Sequence, residues 1–177
     1  MERYVAFLRG VNRNGKNKIV MAEWKAEMER LGFLEVKTYL NSGNAVFSTE
    51  RQSDVALEIE TMIQEKFHLE IPVLIMQQKQ LKDILLHAPS WWGTQDQEIY
   101  DNLIFMFPSV SFADVLQEIG EPKEGLEQIE PYGQAIFWSF CRKDYQKTNW
   151  WSKTASASVG SQLTIRTANT VRKLIGM

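Results

Sequence analysis

Val36-Lys37-Thr38-Tyr39-Leu40-Asn41-Ser42-Gly43-Asn44-Ala45-Val46-Phe47-Ser48 reads as a strand, a turn and a second strand, and its place between two helical patterns decides the fold. Residues 36–40 and 45–48 read as strands. Asn41-Ser42-Gly43-Asn44 between them supplies the Gly and Asn that tolerate positive φ, as a hairpin turn requires. Upstream, residues 22–31 set Trp24, Met28 and Leu31 at i, i+4 and i+7, with Gly32 beyond the end as C-cap, so they predict a helix. Before that helix, Tyr4-Val5-Ala6-Phe7-Leu8 is a continuous apolar run of strand length. Downstream, residues 53–67 place Val55, Ile59, Met62, Ile63 and Phe67 on one helical face, with Ser53 or Asp54 to cap it. Residues 72–76 close the unit as a fourth strand. The order is βαββαβ.

The same order recurs in the second half. A strand at 102–107 precedes a helix at 112–119, which ends at Gly120 before Pro122. Strands at 126–130 and 135–140 flank the turn Pro131-Tyr132-Gly133-Gln134; a helix at 144–153, a Ser/Ala/Gly stretch and a strand at 163–166 follow. A short helix at 168–175 is left over. The predicted fold is α+β: two ferredoxin-like βαββαβ plaits in tandem, plus a C-terminal helix. The corresponding division is 1–76, a helical connector at 77–101, and 102–177. The two halves share a pattern and no sequence identity.

Composition bounds the function. With 177 residues, 44% apolar and 11% aromatic, the chain has ample material for packed cores. Its longest apolar runs fall far short of the roughly 20 residues of a membrane span. The first strand pattern begins at once, without a secretory leader, so a cytoplasmic protein with no membrane partner is expected. The single Cys141 permits no internal disulfide and is expected to be structural. His68 and His87 each end a helical segment, where an imidazole can meet free carbonyls, and two histidines cannot build a His-rich metal site. No metal and no cofactor are expected, and no complete catalytic constellation is readable. The net charge of −2 hides an uneven layout. Residues 145–177 hold five cations and no acid, whereas residues 96–130 hold nine acids against Lys123 alone.

The segment Leu8-Arg9-Gly10-Val11-Asn12-Arg13-Asn14-Gly15-Lys16-Asn17-Lys18 carries four cations and no acid, and follows a strand. Such a loop has the ingredients of an anion-binding surface. It is no P-loop, because Lys16 is followed by Asn17 and not by the Ser or Thr that would ligate Mg²⁺. In a split βαβ sheet the first and third strands are antiparallel neighbours, so Arg9-Gly10 should lie beside Ser42-Gly43-Asn44. Near the C-terminus, Thr164-Ile165-Arg166-Thr167-Ala168-Asn169-Thr170-Val171 joins a strand to a helix start, with Thr167 as candidate N-cap.

The candidate ligand site therefore draws charge from Arg9, Arg13, Lys16 and Arg166. It draws orientation from Asn12, Asn17, Ser42, Asn44, Asn169 and Thr170, and close backbone approach from Gly10, Gly15 and Gly43. The ligand would be a nucleotide, a phosphorylated metabolite or a nucleic-acid segment. The competing reading is a structural or interaction protein whose polar loops hold the junction of the two modules or a homo-oligomer. An RNA platform with bases stacked on an open sheet is disfavoured, because residues 4–8 are apolar on both faces and predict a covered sheet. The pairs Trp91-Trp92 and Trp150-Trp151 each predict one ring in a core.

Leu8-Arg9-Gly10-Val11-Asn12, Gly15-Lys16-Asn17-Lys18, Met21-Ala22-Glu23, Leu31-Gly32-Phe33, Thr38-Tyr39-Leu40, Ser42-Gly43-Asn44 and Val46-Phe47 resemble the bacterial "domain of unknown function 1697" family. The likeness continues at Thr164-Ile165-Arg166 and Asn169-Thr170-Val171, where that family's pattern is Thr-x-Arg-Asn-Trp-Asn-Thr. Here Thr167 and Ala168 stand in place of its Asn and Trp, and Val20 stands where many relatives have proline. The resemblance implies a ferredoxin-like fold and brings no reaction with it. It also implies that the polar loop, the hairpin turn and the C-terminal Arg and Asn belong to one motif set.

Overall fold

The computed structural model describes all of residues 1–177, and the chain divides into two compact units: Met1–Lys82 with Lys173–Met177, and Asp83–Arg172. In unit 1 the order is β1 (Glu2–Leu8), α1 (Met21–Arg30), β2 (Leu34–Thr38), β3 (Asn44–Thr49), α2 (Val55–Phe67) and β4 (Val73–Gln77). The four strands form one antiparallel sheet ordered β2-β3-β1-β4, the ferredoxin-like arrangement. Tyr4, Ala6, Leu8, Ala45 and Phe47 on one sheet face pack with Trp24 and Met28 of α1 and Ile59 and Ile63 of α2. Fully burying one such side chain contributes about 1.5–3 kcal/mol.

Helix α1 ends as its sequence predicts. Gly32 at φ +93° lets its own N–H reach Glu29 O at 2.9 Å while the Phe33 N–H reaches Met28 O, a Schellman closure. At α2 the predicted cap is absent: Asp54 sits at φ +61° and its side chain makes no capping bond, so the helix starts at Val55. The last residues join this unit through Arg3, whose guanidinium donates to Met177 O at 2.8 Å, and Gln78, whose amide donates to Leu174 O at 2.9 Å.

Helix α3 (Gln78–Leu86) leads into unit 2, which contains β5 (Ile99–Met106), α4 (Phe112–Ile119), β6 (Glu127–Tyr132), β7 (Ala135–Cys141), α5 (Trp150–Ser156), β8 (Leu163–Thr167) and the start of α6 (Ala168–Leu174). The sheet order β6-β7-β5-β8 repeats that of unit 1. Its core gathers Ile104, Met106, Ile136, Trp138 and Phe140 with Val115, Ile119 and Trp150. The two sheets are thus the tandem plaits that the strand and helix patterns predict, followed by a C-terminal helix.

One predicted helix is broken in two. Residues 144–153 form a 3-10 turn, Arg142–Lys147, and then α5. The cause is Glu127, a buried carboxylate that accepts from the backbone N–H groups of Lys123, Asn149 and Trp150 and from the Trp138 indole. Those bonds hold the chain at Asn149 while the Asn149 amide donates to Ile119 O and Glu121 O. The continuous helix gives way to a fully satisfied buried acid.

Both faces of each sheet are covered. Val5, Phe7 and Val46 on the second face of unit 1, and Leu103, Phe105 and Phe137 on that of unit 2, are all 0% exposed. Trp92 and Trp150 are buried and Trp151 is exposed, so in each tandem pair one ring serves a core. No helix is long and apolar enough to cross a membrane.

Candidate functional site

The 9–18 loop begins where β1 leaves the sheet. Phe7 pairs with Asn44, the Leu8 N–H donates to Gly43 O at 2.8 Å, and the Arg9 N–H donates to Pro72 O at 3.0 Å. Arg9-Gly10 therefore does lie beside Ser42-Gly43-Asn44. Gly43 is needed for this contact. Its φ is +87°, and a Cβ there would sit 2.6 Å from Leu8 Cβ and 2.9 Å from Val11 Cγ2. The glycine thus admits the chain's own β1 end.

Beyond Val11 the loop is a small hairpin. Asn12 N–H donates to Asn17 O at 3.1 Å, and Arg13 and Lys16 exchange backbone bonds at 3.3 and 2.9 Å. Asn14 at φ +52° and Gly15 at φ +74° form the type I′ turn that an Asn-Gly pair favours. The Asn14-Gly15 pair is itself a hairpin signal in the sequence, set between Arg13 and Lys16. Lys16 and Arg13 thus flank a two-residue turn.

The asparagines build the loop. The Asn12 amide donates to Ile19 O at 2.9 Å and Asn41 O at 2.8 Å, and its Oδ1 accepts from the Ile19 N–H at 2.9 Å. Asn17 donates to Gly10 O at 3.0 Å, and buried Asn44 donates to Tyr39 O and to Ser42 Oγ. Asn12 and Asn17 both hold positive φ, a conformation asparagine tolerates.

The cations are disposed differently. Arg13, Lys16 and Lys18 are exposed, and none of them joins an ion pair. Arg9 is half-buried, and its guanidinium is held below the usual arginine range, first by desolvation and then by the nearby charge of Arg13. Arg13, Lys16 and Lys18 therefore present like charges to solvent, in a loop that contains no acid.

The remaining candidates belong to unit 2. Arg166 lies on β8 opposite Leu103, is buried, and donates to Thr164 Oγ1 at 2.8 Å and Ile165 O at 3.0 Å. Burial pushes its pKa down to about 10, which leaves it charged at neutral pH. In unit 1 the matching position, opposite Val5 on β4, is Met76. Thr167 Oγ1 accepts from the Thr170 N–H at 3.4 Å and meets the Thr170 hydroxyl at 3.1 Å, so Thr167 caps α6 as the sequence suggests. Asn169 is exposed in the first turn of that helix.

Residues 1–137 match the model of a family described as a protein of unknown function, DUF1697. No curated protein matches the chain. The solved structure of the conserved bacterial protein SP0830 from Streptococcus pneumoniae is similar to it, with 26% sequence identity and a TM-score of 0.85, over 99% of this chain and 97% of that one.

Proposed function

The chain belongs to the DUF1697 family, and because that membership assigns no chemistry, we propose from the loop itself that the protein binds an anionic ligand at Arg9, Arg13 and Lys16 beside the Ser42-Asn44 turn. The observation that carries the reading is the hairpin's exposed Arg13 and Lys16, neither in an ion pair, set beside half-buried Arg9. A half-buried guanidinium is held next to Arg13, at a cost in proton affinity, in a loop whose asparagines and Gly43 are spent on keeping that arrangement in place. A phosphate or carboxylate between the two would relieve the repulsion and add charge-assisted hydrogen bonds. Nucleotides, phosphorylated metabolites and a nucleic-acid backbone share this chemistry.

The test is thermal stability of the purified protein at low salt with inorganic phosphate, mononucleotides and short oligonucleotides. A ligand at 100 times its Kd that binds only the folded state adds about 2.7 kcal/mol. The expected result is a salt-sensitive rise in melting temperature that is lost in the Arg13→Ala/Lys16→Ala variant. An equal rise in the variant would defeat the proposal.

A second reading has its own support, since Asn12, Asn17 and Asn44 direct their amides to the protein's own backbone. On that reading the loop serves construction or assembly. The double variant would then melt lower or change oligomeric state, and no anion would protect the fold.

A further inference from the structure

A polar-walled cavity of about 590 Å³ lies wholly within unit 2, at the start of β5 and the β8–α6 junction. Its charged walls are Asp96, Asp101, Arg142 and Arg172, none of which joins an ion pair; exposed Asp96 accepts from the Glu98 N–H at 2.9 Å, whereas Asp101 lies deeper. Asp101 is only 9% exposed. Its Oδ1 accepts from the hydroxyl of Ser139, its cross-strand partner, whereas Oδ2 has no protein donor. That oxygen is not sealed in a core either, because Trp24 Nε1 is the only sealed side-chain polar atom without a partner. A carboxylate nine-tenths buried thus keeps one oxygen available at the wall of a cavity.

The two guanidiniums are held in place by neutral groups. Arg142 donates from Nε to Gln97 O at 2.9 Å and lies 4.5 Å from the centre of the Tyr100 ring. Arg172 donates from Nη2 to Gly93 O at 2.5 Å and lies 5.6 Å from the Trp92 ring. Gly93 makes room for it: a Cβ there would meet Arg172 Nη2 at 2.3 Å. Each arginine has five N–H donors, so both retain capacity after these bonds. Cation–π contact and one carbonyl fix a guanidinium without neutralising it.

This combination selects against simple ions. A free anion would have to approach the Asp96 and Asp101 carboxylates, and a free cation would meet two guanidiniums. A buried acid with an open oxygen is best matched by an N–H cation, and the arginines by a planar carboxylate. We propose that this cavity binds a small zwitterion of the α-amino-acid class, with its ammonium on Asp101 and its carboxylate on Arg142 and Arg172. The cavity is larger than the backbone of an amino acid requires, which leaves space for a side chain near Thr167 and Asn169. The inference uses residues of unit 2 only and does not depend on the 9–18 loop.

The experiment is an NMR titration of the ¹⁵N-labelled full-length protein with free L-amino acids, their N-acetyl and carboxamide derivatives, inorganic phosphate and a mononucleotide. At least one amino acid should shift the amides of Asp101, Asn102 and Asn169, and both derivatives of that amino acid should bind at least tenfold more weakly. Asp101→Asn and Arg142→Gln should each weaken the amino acid by a similar factor, and Arg13→Ala/Lys16→Ala should leave it unchanged. Should Asp101→Asn fail to fold, the ligand derivatives and the exposed Arg142 variant decide alone. The proposal is overturned if no amino acid perturbs these amides, if the derivatives bind equally well, or if phosphate or the mononucleotide gives the same shifts.

Discussion

The two units share one topology and treat the same connection in opposite ways. After β5, residues 107–111 lead directly into α4, whose N-terminus is closed by a capping box between Ser111 and Asp114. After β1, residues 9–20 make a detour through a hairpin, and α1 then starts at Met21, its N-cap Val20 offering no side-chain cap. The β6–β7 hairpin likewise closes through Gly133-Gln134, whereas the β2–β3 turn is wider and is braced by buried Asn44. Polar side chains in unit 2 finish a helix, while those in unit 1 hold up a loop that the topology does not need. The elaboration at one of two equivalent places is where the proposed anion site lies, as loops on a shared scaffold commonly carry function.

The strongest way to break this comparison is at the paired turn glycines. Gly43→Ala would force a Cβ against Leu8 and Val11 at a positive φ, and should lower stability by about 3 kcal/mol through combined strain and overpacking. Gly133→Ala, at φ +56° with nothing within 4 Å of the new Cβ, should cost only about 1 kcal/mol. Chemical denaturation of both variants checks the difference. Equal losses would mean that the β2–β3 turn does not depend on close approach to the β1 end.

A smaller effect is expected at Asn12. Asn12→Ala removes three hydrogen bonds that tie the loop to Ile19 and Asn41, and should cost about 2 kcal/mol. It should also weaken anion binding, because the cations lose their support. Asn12→Asp keeps the acceptor for the Ile19 N–H and tests which half of the amide matters. A stable Asn12→Ala protein with unchanged binding would remove the asparagine scaffold from the account.

The order of strands and helices was legible because each element carries its own period: the apolar run at residues 4–8, the spacing of Trp24 and Met28, and the turn residues 41–44 all act locally. What escaped was set by distant partners. Nothing near residue 148 announces that Glu127 will draw in the N–H groups of Asn149 and Trp150 and split a helix. Asp101 is one of nine acids in residues 96–130, and only the cross-strand Ser139 and the cavity distinguish it from its neighbours. In the 9–18 loop, composition could not separate asparagines that touch a ligand from asparagines that hold the backbone, since both roles use the same amide. The juxtaposition of Arg9 with Ser42 was legible because antiparallel pairing of the first and third strands fixes it.

The capping box supplies a pH handle that unit 1 lacks. The backbone and hydroxyl of Ser111 hold the Asp114 carboxyl below its usual value of 3.8. A carboxyl so depressed contributes stability that is present above the unfolded value and is lost as pH falls through the folded one. Ser158 and Val159 depress Glu118 of the same helix in the same way. Ser111→Ala should cost about 1 kcal/mol near neutral pH. The stability difference between wild type and Asp114→Asn should shrink on acidification below 3.8. A difference that stayed constant with pH would mean that the box does not act through the ionised carboxyl.

The smallest change in stability is expected where the largest change in binding is proposed. Arg13 and Lys16 are exposed side chains without ion pairs, so replacing both with Ala should alter folding stability by no more than about 0.5 kcal/mol. The sign is informative. Arg13 contributes to the depression of Arg9, so the two charges repel in the free protein, and removing Arg13 relieves that repulsion. Arg13→Ala should therefore be neutral or slightly stabilising at low salt, and the gain should fade as salt screens the pair. Surface charges kept for packing or assembly would give the opposite sign. A loop that grows more stable on losing its charge, and loses its ligand in the same step, holds those cations for the ligand, as sites that trade stability for binding do.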